Sequence, residues 1–352
     1  MREIIDTIHM ITKRIGRTVR LMEVCGTHTV AIFRHGIRSI LPEGLELISG
    51  PGCPVCVTSI EDVDRAIALS MKKDTILATF GDMMRVPGSG GNFYNARSEG
   101  ADIRVVYSPQ EALELAMANP DRGIVFFATG FETTSPLVAA ALHEAEERKI
   151  NNFSIYSVHK LVPPALRALL TDSEVLVDGF ILPGHVSTII GPEPYEFVSQ
   201  EFNKPAVITG FEPEDILQGI LILLKQISSG EASVEIQYTR AVRKGGNRKA
   251  REMIERYFKP ADARWRGIGV IPESGLILRE EYARYDAIKI FDIKSDSKPE
   301  PKACACGEVL RGIKKPPECS LFSKACTPEH PVGACMVSTE GSCAAYYKYS
   351  IL

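Results

Sequence analysis

Nine cysteines are the side chains with the most chemistry to offer in this chain, and they fall in two groups. Cys25, Cys53 and Cys56 lie early; Cys304, Cys306, Cys319, Cys326, Cys335 and Cys343 crowd into the last fifty residues. In a reducing compartment such clusters bind metal or carry electrons rather than form a structural disulfide framework. The segment Gly50-Pro51-Gly52-Cys53-Pro54-Val55-Cys56 spaces two sulfurs so that both reach one metal or close a small disulfide ring. Pro54 stiffens the turn, and the glycines allow close backbone approach. Zinc ribbons need two such pairs and this chain has one, so a redox dithiol or half of a shared metal site outweighs an inert pair. Cys25-Gly26-Thr27-His28 offers a thiol near a helix start, with Thr27 as the expected N-cap. The helix dipole there favours thiolate, and His28 could bond the sulfur or move a proton. A buried small hydrophobe beside a helix-start histidine is an equally weighted reading.

The C-terminal cysteines run CxC-x12-C-x6-C-x8-C-x7-C, unlike the CxxCxxC run of bacterial ferredoxins. Six thiols exceed the four that a [4Fe–4S] cluster needs, so four ligands plus a redox dithiol is an economical division. Zinc with spare thiols ranks lower, because the usual CxxC pairs are missing. Asp82 and Arg85 in GDMMRVPG, Glu132 in GFETTSP and His185 in PGHV are polar groups on Gly-rich turns, where each alone is more often a turn or cap residue. Gly88–Gly91 lacks the GKS or GKT of a phosphate-binding loop. The basic run Arg240–Arg256 reads as a solvated face or partner surface.

A repeated unit must position these residues: a short apolar strand, a Gly-rich loop, then a helix. Strands are expected at Arg20–Val24, Leu45–Ser49, Thr75–Phe80, Ile103–Tyr107, Gly123–Ala128, Phe153–Ser157, Val177–Leu182 and Ala206–Ile208. Ser108-Pro109-Gln110-Glu111 is a capping box with proline at N1, which predicts a helix to about Ala118. Strands alternating with helices give an α/β fold with doubly wound parallel sheets. The break at Ala118–Asp121 suggests α/β domains over 1–118 and 119–230, with a Cys-rich iron–sulfur domain within 231–352 after the linker Ser295–Lys302. TGFE occurs at Thr129–Glu132 and Thr209–Glu212, each time between a strand and a helix. In such sheets ligands bind where loops leave the carboxyl ends of strands, and CGTH, CPVC, GDMMR, GFETT and PGH all occupy such loops.

The 352 residues are 45% hydrophobic and 24% charged, with a formal net charge of −3, which excludes a disordered or fibrous chain. Nothing in that balance recruits nucleic acid or an anionic membrane. No apolar run approaches the roughly 20 residues of a membrane span. Ile4, Ile8, Ile11 and Ile15 follow helical spacing and Gly16 suits the C′ position, so the N-terminus reads as a surface helix rather than a signal peptide. These features point to a cytoplasmic protein, expected as a monomer that forms transient complexes.

Together the motifs resemble the hydrogenase maturation HypD family. The matching segments are MEVCGTHT (Met22–Thr29), GPGCPVCVT (Gly50–Thr58), TFGDMMRVPGS (Thr79–Ser89), ATGFETTSP (Ala128–Pro136), HKLVPPA (His159–Ala165), GFILPGHVSTIIG (Gly179–Gly191) and the tail Cys326–Tyr349. The resemblance spans nearly the whole chain. It implies a scaffold for building the Fe(CN)2CO group of [NiFe]-hydrogenases, with a HypC-type partner sharing the iron. A HypE-type partner would supply cyanide, and the hydrogenase large subunit would receive the product. It further implies Cys25 as the prime iron ligand, with Cys53 and Cys56 as a redox dithiol or further ligands. His28, beside Cys25, and Asp82 and His185, on loops at the same predicted sheet edge, are candidate site residues alongside them. By analogy with ferredoxin:thioredoxin reductase, Cys304, Cys319, Cys326 and Cys343 would hold a [4Fe–4S] cluster beside the pair Cys306 and Cys335. Glu340 reads as a surface carboxylate in preference to a proton carrier. The rival readings are a free-standing iron–sulfur thiol-disulfide reductase and a zinc-stabilised interaction module.

Overall fold

The structure, a computed structural model, describes residues 1–293 and 298–349, so the expected linker Ser295–Lys302 lies partly outside the described residues. Short apolar runs bounded by Gly, Pro, Asp or Asn form strands β1 (Val19–Glu23), β2 (Leu45–Ser49), β3 (Thr75–Thr79), β4 (Ile103–Val105), β5 (Gly123–Ala128) and β6 (Phe153–Ser157). β7 (Gly179–Pro183), β8 (Ala206–Thr209) and β9 (Val234–Ile236) follow, and then β10 (Phe258–Trp265) and β11 (Gly269–Leu278). One sheet has the order β2-β1-β7-β8-β9 and another β4-β3-β5-β6, and both are parallel throughout. This is the expected α/β class with two parallel sheets. Parallel sheets are covered on both faces, which is why their strands are apolar nearly end to end.

The period-two alternation of each strand assigns its side chains to layers. Leu21, Leu47, Ile181 and Val207 pack outward against helices Arg2–Ile15 and Pro213–Ser229. Ile76, Ala78, Ile124 and Phe126 pack with helices Pro109–Ala118 and Ser135–Glu147 on the other sheet's outer face. Met22, Ile48, Phe180, Leu182 and Ile208 join Leu77, Val125 and Phe127 in a core shared by the two sheets, and Cys53, Cys56, Cys306 and Cys335 lie in this layer. The N-terminal helix ends where expected, at Gly16 with φ 70°.

The expected division at residue 118 does not coincide with the sheets. That cut passes between β4 and β5, which belong to one sheet, while the five-stranded sheet combines β1 and β2 with β7, β8 and β9. The four-stranded sheet is inserted between the two halves of the other. A local strand–loop–helix pattern is the same whichever sheet a strand joins, so the break at Ala118–Asp121 marked only a helix end. The antiparallel hairpin β10–β11 had no counterpart in the sequence reading; it meets the end of β6 through a bridge between Lys160 and Gly275. Among the described residues, the Cys-rich tail has only short helical turns between Cys306 and Met336, ending in helix Ser342–Tyr349.

Candidate functional site

β1 delivers Cys25, which is itself the N-cap of helix Gly26–Arg34, with φ −149°. Thr27, the expected cap, instead donates its hydroxyl to Glu340 Oε1 at 2.8 Å. β2 delivers Gly50–Cys53, and the two loops are joined by a hydrogen bond from the Gly26 N–H to the Gly52 carbonyl at 3.0 Å. Gly52 is required here: a Cβ would overlap the backbone of Val24 and Cys25. Cys53 caps the single turn Pro54–Val57, with the Cys56 N–H on its sulfur at 3.3 Å and the two sulfurs 2.6 Å apart. All nine cysteines are free.

The tail closes over these loops. Gly26 packs directly on Glu340, where a Cβ would stand 2.5 Å from the glutamate's own. The Ser338 hydroxyl donates to Asp82 Oδ2 at 3.1 Å, and the Arg85 guanidinium donates to the Pro328 and Val337 carbonyls at 3.2 and 3.1 Å. Asp82 and Arg85 therefore tether the tail. Glu340 is partly buried against Thr27, correcting its reading as a surface carboxylate; burial raises its pKa.

All six tail cysteines line one small cavity of ≈ 10 Å³, walled otherwise by apolar groups including Val309, Leu321, Phe322 and Met336. Cys306 and Cys335 place their sulfurs 2.8 Å apart, and Cys335 also neighbours Cys343 and Cys56. The Val332 N–H donates to Cys326 Sγ at 3.4 Å, and Gly333 leaves room for Cys304, whose sulfur would stand 2.8 Å from an added Cβ. Among the described residues no three His, Cys, Asp or Glu side chains converge as one bare ion requires. The thiolates of a [4Fe–4S] cluster each meet a different iron, so thiols spread around a dry cavity fit that group.

Electrostatics correct one expectation. The helix dipole was to lower the Cys25 pKa; burial, reinforced by the Glu340 carboxyl, pushes it up to about 12. Burial likewise raises the Cys56 thiol. These thiols are protonated near neutral pH, and a metal that binds them displaces the proton. His28 is fully buried, with Nε2 2.9 Å from both the Gly210 carbonyl and Thr209 Oγ1. A carbonyl only accepts, so Nε2 carries the proton and Nδ1 is a bare, unpartnered lone pair. Burial lowers the His28 pKa to about 4, keeping the ring neutral. The exposed His185 stacks on Phe211 at 3.9 Å, and His28 stacks on the same Phe211 at 4.6 Å.

Two site residues escaped the sequence reading, Phe211 and Tyr195, and a third, Glu132, was undervalued. Phe211 joins the two histidines. Glu132 was weighed only as a turn residue; it is buried, with Oε1 accepting the Val162 N–H at 2.9 Å, Oε2 unpartnered, and a pKa raised to about 7 by burial. Tyr195 has a buried, unpartnered hydroxyl within electrostatic range of both Glu132 and Cys25. No spacing signalled Tyr195, since its neighbours come from distant loops.

A family profile described as "HypD: Hydrogenase formation hypA family" matches residues 1–350. The hydrogenase maturation factor HypD of Cupriavidus necator is 48% identical over 344 residues, covering 96% of this chain and 91% of that protein. The HypD of Rhodobacter capsulatus is 47% identical over 351 residues, covering 97% and 93%. The hydrogenase expression/formation protein HupD of Azotobacter chroococcum is 48% identical over 341 residues, covering 95% and 90%. With near-complete coverage at this identity, the chain belongs to the HypD family of hydrogenase maturation factors.

Proposed function

We propose that this hydrogenase maturation factor is the scaffold on which the Fe(CN)2CO group of [NiFe]-hydrogenases is assembled. Cys25 holds the iron being built upon, shared with a HypC-type partner. Cyanide arrives from a HypE-type partner, and the product passes to the hydrogenase large subunit. One observation carries the reading. Thiols run without a gap from the tail cavity through Cys306 and Cys335 to Cys56 and Cys53, ending on the loop bonded to the Cys25 loop. Iron bearing cyanide and carbon monoxide is electron-rich and suits thiolate ligands.

A [4Fe–4S] cluster held by Cys304, Cys319, Cys326 and Cys343 would supply electrons singly. The Cys306–Cys335 and Cys53–Cys56 pairs each exchange two electrons: two thiols lose two protons and two electrons as one disulfide forms. The neighbourhood of Cys335 and Cys56 allows thiol–disulfide exchange from one pair to the other. Burial of Cys53 and Cys56, 3% and 0% exposed, keeps them from protein disulfides and disfavours the free-standing reductase.

The test is an infrared spectrum in the triple-bond stretching region of the anaerobically purified protein with its bound partners. Bands for metal-bound cyanide and carbon monoxide are expected, and their loss in Cys25→Ala. Their absence from a sample shown to hold partner and non-cluster iron overturns the proposal.

A further inference from the structure

A second cavity, of ≈ 270 Å³ and without cysteine, opens at the outer edge of β6 where β10 and β11 cross it. Its deepest cation is Lys160, 3% exposed, whose ammonium has one partner, Asp62 Oδ2 at 3.6 Å. That carboxylate is already served, since Oδ1 accepts the Tyr156 hydroxyl at 2.6 Å and Oδ2 the Ser59 hydroxyl at 2.8 Å. The other acids lining the cavity are engaged as well. Arg65 and Arg264 hold Glu61 at 2.6 and 3.4 Å, while Asp262 and Asp286 accept the Glu273 and Ile288 N–H groups, each at 3.0 Å.

Donors, by contrast, are left over. An ammonium has three N–H groups, and Lys160 spends them on one long contact. Arg65 lines the cavity as well, its side chain 32% exposed, with Glu61 as its ion-pair partner. A buried cation paired as weakly as Lys160 is costly unless a further anion joins it. Burial accordingly lowers the Lys160 pKa. The space is ample for a small metabolite.

We infer that this cavity binds a small organic anion whose carboxylate or phosphate lies between Lys160 and Arg65. The site is separate from the thiols yet wired to their surroundings. The Lys160 N–H bonds the Gly130 carbonyl at 2.9 Å, and the Val162 N–H bonds Glu132, so an occupant bears on the turn that carries Glu132.

Calorimetric titration of the full chain with succinate, and separately with inorganic phosphate, tests the inference. Saturable one-to-one binding of succinate alone marks a carboxylate ligand, and of phosphate alone a phosphate ester. At least tenfold weaker binding is expected in both Lys160→Met and Arg65→Gln. Should Lys160→Met fail to fold, Arg65→Gln decides. Absence of binding by both anions, or wild-type binding by Arg65→Gln, overturns the assignment.

Discussion

A residue's type announces its chemistry, but its surroundings set the state in which that chemistry starts. TGFE shows this twice. In Thr129–Glu132 the glutamate is buried with one oxygen unpartnered, whereas in Thr209–Glu212 it caps helix Pro213–Ser229 reciprocally with Asp215. Phe131 is buried, while Phe211 stacks between two histidines. The tetrapeptide was legible; the fates of its copies depend on what packs above them. Glu132 yields a signed prediction. Its folded pKa of about 7 lies above the ordinary 4.5, so the native state keeps a proton that the unfolded state has lost. Stability is therefore full below the unfolded value and falls as pH rises through about 7. Glu132→Gln should remove roughly 1–3 kcal/mol of that decline. Urea unfolding at acid and mildly alkaline pH measures it, and an unchanged slope would show that Glu132 ionises as freely folded as unfolded.

Elements were the most legible level. β2, β5 and β6 fall on the expected residues, and the other expected strands shift by a residue or two, because short apolar runs between Gly and Pro carry their own signal; the short edge strand β9 was not expected. The hairpin β10–β11 escaped because only one face of β10 is buried and the strand carries Pro260 amid exposed charges. What no single element reveals is the closeness of its neighbours, and Gly52 is one place where two loops leave no room for a side chain. Gly52→Ala should force the Cys25 and Cys53 loops apart at a cost of about 1–3 kcal/mol. Gly90→Ala, with nothing within 4 Å of the added carbon, should shift stability by less than about 0.5 kcal/mol. Denaturant midpoints of the two variants compare these effects directly; equal shifts would mean that the loop junction relaxes freely.

At the scale of the whole molecule, strand order was hidden from the sequence, because pairing is decided by long-range packing. Interleaving has a testable consequence. A fragment spanning 1–118 leaves β1 without β7 and β3 without β5, stripping each strand of a neighbour while its faces remain apolar. Such a fragment should show no cooperative thermal transition by circular dichroism; a sharp one would mean that the first half folds alone. The same interleaving sets a timetable during synthesis. β2 ends at Ser49 and β7 begins at Gly179. At about 5–20 residues per second, β1 and β2 leave the ribosome on the order of ten seconds before their partner strand. Late in that interval, once β6 has emerged, the inserted four-stranded sheet can close, while β1 keeps a bare edge open to mispairing. Cys25, Cys53 and Cys56 emerge early and Cys335 nearly last. Nascent chains therefore pass through a stage in which the first three thiols stand uncovered by the tail, and their protection from stray metal and oxidant rests on the cell rather than on the fold.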